Sequence, residues 1–133
     1  MPKETTVQQL LESKDSAIHS VSPDITVFEG LKVLSEARIG AVLVLDQGKL
    51  VGMFSERDYA RKIILQGRSS KDTKISEIMS TDVTCVSPED KVADCMHMMT
   101  KNRFRHLPVI KDGELVGVVS IGDIVRAILI SLL

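Results

Sequence analysis

GELVGVVSIGDIV, residues 113–125, repeats in outline a stretch the chain has already used at 48–60, GKLVGMFSERDYA. Both read Gly-x-Leu-Val-Gly-x-x-Ser-x-x-Asp, and they stand 65 positions apart (113 − 48). Sliding the chain by that interval aligns residues 21–65 with 86–130 without a gap, and 14 of the 45 pairs are identical. Among them are Val21/Val86, Pro23/Pro88, Arg38/Arg103, Gly52/Gly117, Ser55/Ser120 and Asp58/Asp123. Solenoid repeats run roughly 20–50 residues, so a longer period used twice marks a duplicated small domain.

Each copy carries the same local signals. IHSVSP (18–23) and VTCVSP (83–88) are short extended segments, because the residue before a proline is biased away from the helix. Val27, Leu31 and Leu34, and then Val92, Met96 and Met99, follow the i, i+4, i+7 spacing of one helix face. Two apolar runs come next in each copy: AVLVL (41–45) and LVGMF (50–54), then LPVI (107–110) and LVGVV (115–119). Their lack of polar alternation predicts strands covered on both faces, and DQGK (46–49) and KDGE (111–114) predict hairpin turns between them. Gly52 and Gly117 interrupt these runs, where a glycine points to a bulge or a close approach by another group. A closing helix starts at Ser55 or Ser120, with Ile121, Ile124, Ile128 and Leu132 on one stripe. The fold class is therefore mixed α/β (α+β), built from two β-α-β-β-α repeats. The polar QGRSSKDT (66–73) reads as a linker, ISEIM (75–79) as a helical turn leading into the second copy, and residues 6–13 as the matching turn before the first. The expected boundaries are 10–66 for the first domain, 67–74 for the linker and 75–133 for the second domain.

Composition narrows the function classes. Half of this chain, about 60 residues, buries too little surface to be comfortably stable alone, so the halves are expected to pack together. A net charge of −1, from 17 basic and 18 acidic residues, gives no bulk attraction for nucleic acid. One Tyr, three Phe and no Trp leave few platforms for stacking single-stranded bases. MPKETTVQQL lacks the apolar core of a secretory signal, and IVRAILISLL (124–133) is about half the length needed to span a bilayer. No membrane association is expected, and a cytoplasmic location is, with Cys85 and Cys95 reduced.

The duplicated unit, with Leu-Pro-Val before the hairpin and Gly-x-x-Ser-x-x-Asp after it, resembles the CBS domain pair, or Bateman module. ARIGAVLVLDQGKLVGMFSERDYARKI (37–63) and NRFRHLPVIKDGELVGVVSIGDIVRAI (102–128) carry the resemblance, which covers nearly the whole chain and suggests a stand-alone pair. It implies a tandem CBS-domain pair packed with pseudo-twofold symmetry, frequent homodimers, and a regulatory role without catalysis. It also implies an adenosyl ligand in the cleft between repeats: AMP, ADP or ATP, with NAD(H) and S-adenosylmethionine as further candidates. No cofactor would be required, and an unidentified protein partner would be regulated.

The same resemblance distributes the ligand-binding residues. Asp123, Ser120 and the intervening Gly122 would share one cleft with Ala17, Ile18, Ile39, Gly40 and Ala41, while Arg105 and His106 grip the phosphates. The mirror site would gather Ser55, Arg57 and Asp58 against Thr81, Val83, Phe104 and Arg105. Read from the residues alone, Ser55-x-x-Asp58 and Ser120-x-x-Asp123 fit two purposes equally. Ser with an acid three residues on is a capping box. A helix start after a strand is also a natural phosphate seat, and a carboxylate suits a pair of ribose hydroxyls. Arg105 and His106 stand where copy one has Gly40 and Ala41; a solvated surface cluster and a phosphate grip by the planar guanidinium both remain open. Arg38 and Arg103, present in both copies, suggest a structural role at helix ends. Cys85, Cys95, His97 and His106 lack the spacing of a zinc site, and no metal is expected. P-loop, GxGxxG and nucleophile-elbow patterns are missing from the sequence. The rival to a ligand-binding module is a dimerisation or interaction scaffold in which the Ser/Asp pairs only cap helices.

Overall fold

A computed structural model describes residues 5–13 and 18–133 of the chain. In chain order the first elements are α1 (Val7–Ser13), β1 (Ser20–Val21), α2 (Val27–Ala37), β2 (Ala41–Asp46) and β3 (Lys49–Ser55). Then come α3 (Glu56–Tyr59), which continues as a π-helical segment (Ala60–Ile64), and α4 (Ile75–Ile78). The second copy supplies α5 (Val92–Asn102), β4 (His106–Lys111), β5 (Glu114–Ser120) and α6 (Ile121–Ser131).

The hairpins follow from their turn residues. Gln47 and Gly48 take φ of 51° and 82°, and Asp112 and Gly113 take 52° and 81°. Positive φ at both central positions is the type I′ turn, whose twist matches that of antiparallel strands. β2 and β3 pair from Ala41↔Ser55 to Asp46↔Lys49, with a register shift between Val44 and Leu45. β4 and β5 repeat this from His106↔Ser120 to Lys111↔Glu114, with the shift between Val109 and Ile110. In both hairpins the shift falls beside the glycine of the apolar run, Gly52 or Gly117. β1 joins β2 in parallel, and in the second copy Val86 bridges to Val109 in the same sense. Coverage on both faces holds for Val42, Leu43 and Val44, all buried, whereas β3 and β5 bury alternate residues.

The repeats are contiguous in sequence, but only one of the two compact units is. One unit is His19–Val83; the other joins the N-terminal segment, through α1, to Thr84–Leu133. The leading helices account for this. α4 serves the first repeat: the Val27 amide donates to the Thr73 carbonyl at 2.8 Å, and the Ile75 amide to the Ile25 carbonyl at 2.9 Å. α1 serves the second repeat by matching bonds, Val92 amide to Thr5 carbonyl and Val7 amide to Asp90 carbonyl, both 2.8 Å. In each case the chain entering a short helix satisfies the free N–H groups at the start of a long one. The stretch read as a linker is accordingly tied down within the His19–Val83 unit. Thr73 is buried, its hydroxyl donates to the Ser69 carbonyl at 2.7 Å, and the Phe28 amide donates to the Ser70 carbonyl at 3.0 Å.

Each unit has its own core. Val21, Val27, Leu34, Val42, Val44, Phe54, Ile63, Ile75 and Ile78 form one. The other contains Val7 and Leu10 from α1 with Val86, Val92, Cys95, Met99, Leu107, Val109, Val119 and Ile124. On α5 the buried position between Val92 and Met99 is Cys95, with Met96 only partly covered. On α6 the expected stripe is shorter than its spacing suggests. Ile124 is buried and Ile121 and Ile128 pack against the core, but Leu132 lies beyond the end of the helix and is exposed.

Candidate functional site

The two Ser-x-x-Asp motifs both form capping boxes. Ser55, in extended backbone at the end of β3, accepts from the Asp58 amide at 3.1 Å, and its own amide donates to Asp58 Oδ2 at 3.0 Å. Ser120 accepts from the Asp123 amide at 3.1 Å and donates its amide to Asp123 Oδ2 at 2.9 Å. Each such cap is worth about 1 kcal/mol. The capping purpose is therefore fulfilled in both copies, and each carboxylate is fixed in orientation through Oδ2.

The residues before each hairpin lie against the same helix starts. The Glu56 amide donates to the Gly40 carbonyl at 3.0 Å, and the Ile121 amide to the Arg105 carbonyl at 2.9 Å. Of the first three N–H groups of α6, those of Ile121 and Asp123 are thus already bonded, and the same holds for Glu56 and Asp58 in α3. A helix start filled in this way has little to offer a phosphate, so an anion here would depend on side chains.

Among the expected site residues, one unit collects Phe104, Arg105, His106, Ser120, Gly122 and Asp123. His106 pairs directly with Ser120 across the hairpin. Arg105 and Gly122 are exposed, His106 and Asp123 half-buried, and Phe104 packs against the core. The other unit collects Ile39, Gly40, Ala41, Ser55, Arg57, Asp58, Thr81 and Val83. There Ala41 pairs with Ser55, Ile39 packs on the core, and a side chain at Gly40 would come within 3.1 Å of Glu56 Oε1. Arg57 and Thr81 are exposed and Val83 is half-buried. Ile18 is exposed and belongs with the α1 unit. Ala17 lies outside the described residues.

Two participants escape the motif. Lys62 Nζ lies 3.3 Å from Asp58 Oδ1, and the Ser80 hydroxyl donates to the same oxygen at 3.2 Å. Lys62, four residues after Asp58, is the spacing at which helical ion pairs form, and that signal was readable. Ser80 gave none: it reaches Asp58 because its backbone bridges to Met53 of β3, by two bonds of 2.9 Å. The cysteines stand apart from this chemistry. Cys95 sits in the core, where burial first, and then Asp90 and Asp94, push its thiol pKa up to about 11.

Known proteins give this geometry a context. The family model for the CBS domain matches residues 14–65 and 75–130. CBS domain-containing protein CBSX3, mitochondrial, from Arabidopsis thaliana is 44% identical over 133 residues, covering 93% of this chain and 65% of that protein. The chain thus spans just under two thirds of that relative's length. The solved structure of a protein with CBS domains from Burkholderia ambifaria MC40-6 superposes with a TM-score of 0.87 at 42% identity, covering 97% of each chain. CBSX2, solved in complex with AMP, superposes at 0.78 with 26% identity over 97% of this chain and 99% of its own. The CBS domain pair of MJ0100, solved with 5′-methylthioadenosine and S-adenosyl-L-methionine, superposes at 0.76 with 27% identity over 92% and 94%. The duplication, the hairpin-to-helix motif in both copies and the match over both repeats have one meaning: the chain belongs to the CBS domain family and carries two CBS repeats.

Proposed function

We propose that this protein is a regulatory module that binds an adenosyl ligand at the Ser120–Asp123 helix start and signals by a change of conformation. AMP, ADP and ATP are the first candidates, with NAD(H) and S-adenosylmethionine next; AMP in CBSX2 and the methylthioadenosine and S-adenosylmethionine of MJ0100 support this class. The observation that carries the assignment is the grouping of Asp123, held by its cap and half-buried, with Arg105 and His106 on the same unit. A carboxylate is the acceptor pair for two ribose hydroxyls. With the N–H groups of the helix start mostly bonded, Arg105 carries the phosphate contact through its planar fork. The Ser55–Asp58 group is the proposed mirror site. Catalysis forms no part of the proposal.

A ligand shifts a conformational equilibrium only through differential affinity for the two states, and the output would be read by a protein partner. We place the protein in the cytoplasm; among the described residues no helix is long and apolar enough to cross a membrane.

The test is a thermal-shift panel of adenosyl compounds. At least one should raise the Tm, and Asp123→Ala should remove most of that rise. No response to any member overturns the reading.

The scaffold alternative has its own support. Ile64 and Leu65 after the first repeat's last helix start, and Leu129 and Ile130 at the matching places in α6, are all more than half exposed. Paired apolar side chains left in water favour self-association, and we propose a homodimer through them. If the protein is only a scaffold, Asp58→Ala and Asp123→Ala each cost about 1 kcal/mol, as cap mutants do, and no ligand changes either value.

A further inference from the structure

The last helices of the two repeats hold the same place in sequence but wind differently. α6 is an α-helix from Ile121 to Ser131. Its Ile124 is buried, with Ile121 and Ile128 packed on the same core. In the first repeat α3 stops at Tyr59, and Ala60–Ile64 makes a π-helical turn. The Leu65 amide donates to the Ala60 carbonyl at 3.1 Å, and the Arg68 amide to the Ile63 carbonyl at 3.0 Å, each five residues back.

The wide turn changes which residues face inward. Asp58 and Ile63 are both buried, although residues five apart on an α-helix of 3.6 residues per turn point about 140° from each other. Tyr59, which matches the fully buried Ile124, is only partly covered. The turn thus sinks a carboxylate and leaves a phenol at the edge of the core. A buried carboxylate is stable only beside a countercharge or hydrogen-bond donors. Lys62 Nζ lies 3.3 Å from its Oδ1, and the Ser80 hydroxyl donates to that oxygen at 3.2 Å. The same Nζ donates to the Ile78 carbonyl at 2.8 Å, at the end of α4. Lys62 therefore ties the wide turn both to the acid it buries and to the neighbouring helix. In α6 the matching residue is Ala127, which can form neither bond.

We infer that this helix of the first repeat has two registers, and that Lys62 decides between them by holding the wide one. The other is the register of α6. In it Tyr59 turns into the core as Ile124 does, Asp58 moves outward, and the Leu65 amide bonds to the Arg61 carbonyl, four residues back. Two charge-assisted bonds end at the Lys62 ammonium, and losing each changes the ratio of the registers roughly tenfold. The register sets the exposure of Asp58, so whatever discharges Lys62 changes that acid's depth. The inference stands whether or not the protein binds a nucleotide.

The test is carried out on the full chain as wild type, Lys62→Arg, Lys62→Met and Lys62→Gln. Scalar coupling across hydrogen bonds, measured by NMR, identifies the carbonyl that accepts from the Leu65 amide. It should be Ala60 in the wild type and Lys62→Arg, and Arg61 in Lys62→Met and Lys62→Gln. Tyr59 is the one tyrosine in a chain without tryptophan, so intrinsic fluorescence gives a second readout. Acrylamide should quench it less in the two uncharged variants than in the wild type. Should Lys62→Met fail to fold, Lys62→Gln decides alone. An Ala60 acceptor kept in the folded uncharged variants, coupling to neither carbonyl, or quenching that is unchanged or stronger overturns the inference.

Discussion

Arg38 and Arg103 end α2 and α5 in the left-handed conformation, with φ of 58° and 59°. Glycine is the usual residue there, because a side chain in that region costs roughly 1–2 kcal/mol. The pair recurs in both copies, which is the helix-end role their repetition suggested, and the amide of Arg103 returns to the Met99 carbonyl. Glycine would relieve the strain but lose about 0.5–1 kcal/mol in chain entropy. Arg103→Gly should therefore stabilise the protein by about 0.5–1 kcal/mol, read as a raised urea midpoint at unchanged slope. A lowered midpoint would show that the arginine side chain contributes more than its backbone costs. At this scale the sequence was highly legible: capping boxes and turn glycines are local devices whose partners lie within a few residues. Lys62 was legible for the same reason. Ser80 was not, since its partner lies 22 positions away.

Between elements, Gly52 and Gly117 occupy the same place in matching strands but meet different neighbours. A Cβ on Gly52 would lie 2.9 Å from the Ser80 carbonyl oxygen and 2.7 Å from Met79 Sδ. On Gly117 its three nearest neighbours would all be atoms of the Leu11 side chain, Cδ2 at 2.7 Å. Backbone cannot step aside as a partly covered leucine can. Gly52→Ala should then cost about 1–3 kcal/mol, the usual penalty of overpacking, and Gly117→Ala clearly less; denaturation of the two variants side by side decides this. Equal losses would mean that the strand, rather than the docked segment, resents the methyl group. The sequence signalled a bulge or a close approach here, and both are present: the register shift beside each glycine and the segment lying over it.

At the scale of the whole molecule, the N-terminal helix completes the core of the second repeat. Val7 and Leu10 are buried with Cys95, Met99 and Ile124, although about 80 residues separate α1 from α5 in the chain. Leu→Ala in a core costs about 2–5 kcal/mol. With its thiol pKa at about 11 and its side chain buried, Cys95 should react with an alkylating reagent only when its unit opens. Leu10→Ala should accelerate Cys95 labelling, by roughly tenfold for each 1.4 kcal/mol lost. Ile78→Ala, a deletion in the other unit's core, should do so less. If Ile78→Ala has the larger effect, α1 does not support the second repeat in solution.

The sequence by itself determined the duplication, the order of elements within each copy and the hairpin turns, and offered the caps as one of two readings, because each depends on spacing, on a turn glycine or on a side chain within three residues. Only the tertiary structure decided which short helix completes which repeat, because strand pairing and core burial join segments that the local pattern leaves independent. It also decided the depth of each acid of the repeated motif, Asp58 buried and Asp123 half-buried, and brought Ser80 to Asp58 by a backbone bridge to Met53, because burial and bridging depend on segments far apart in the chain.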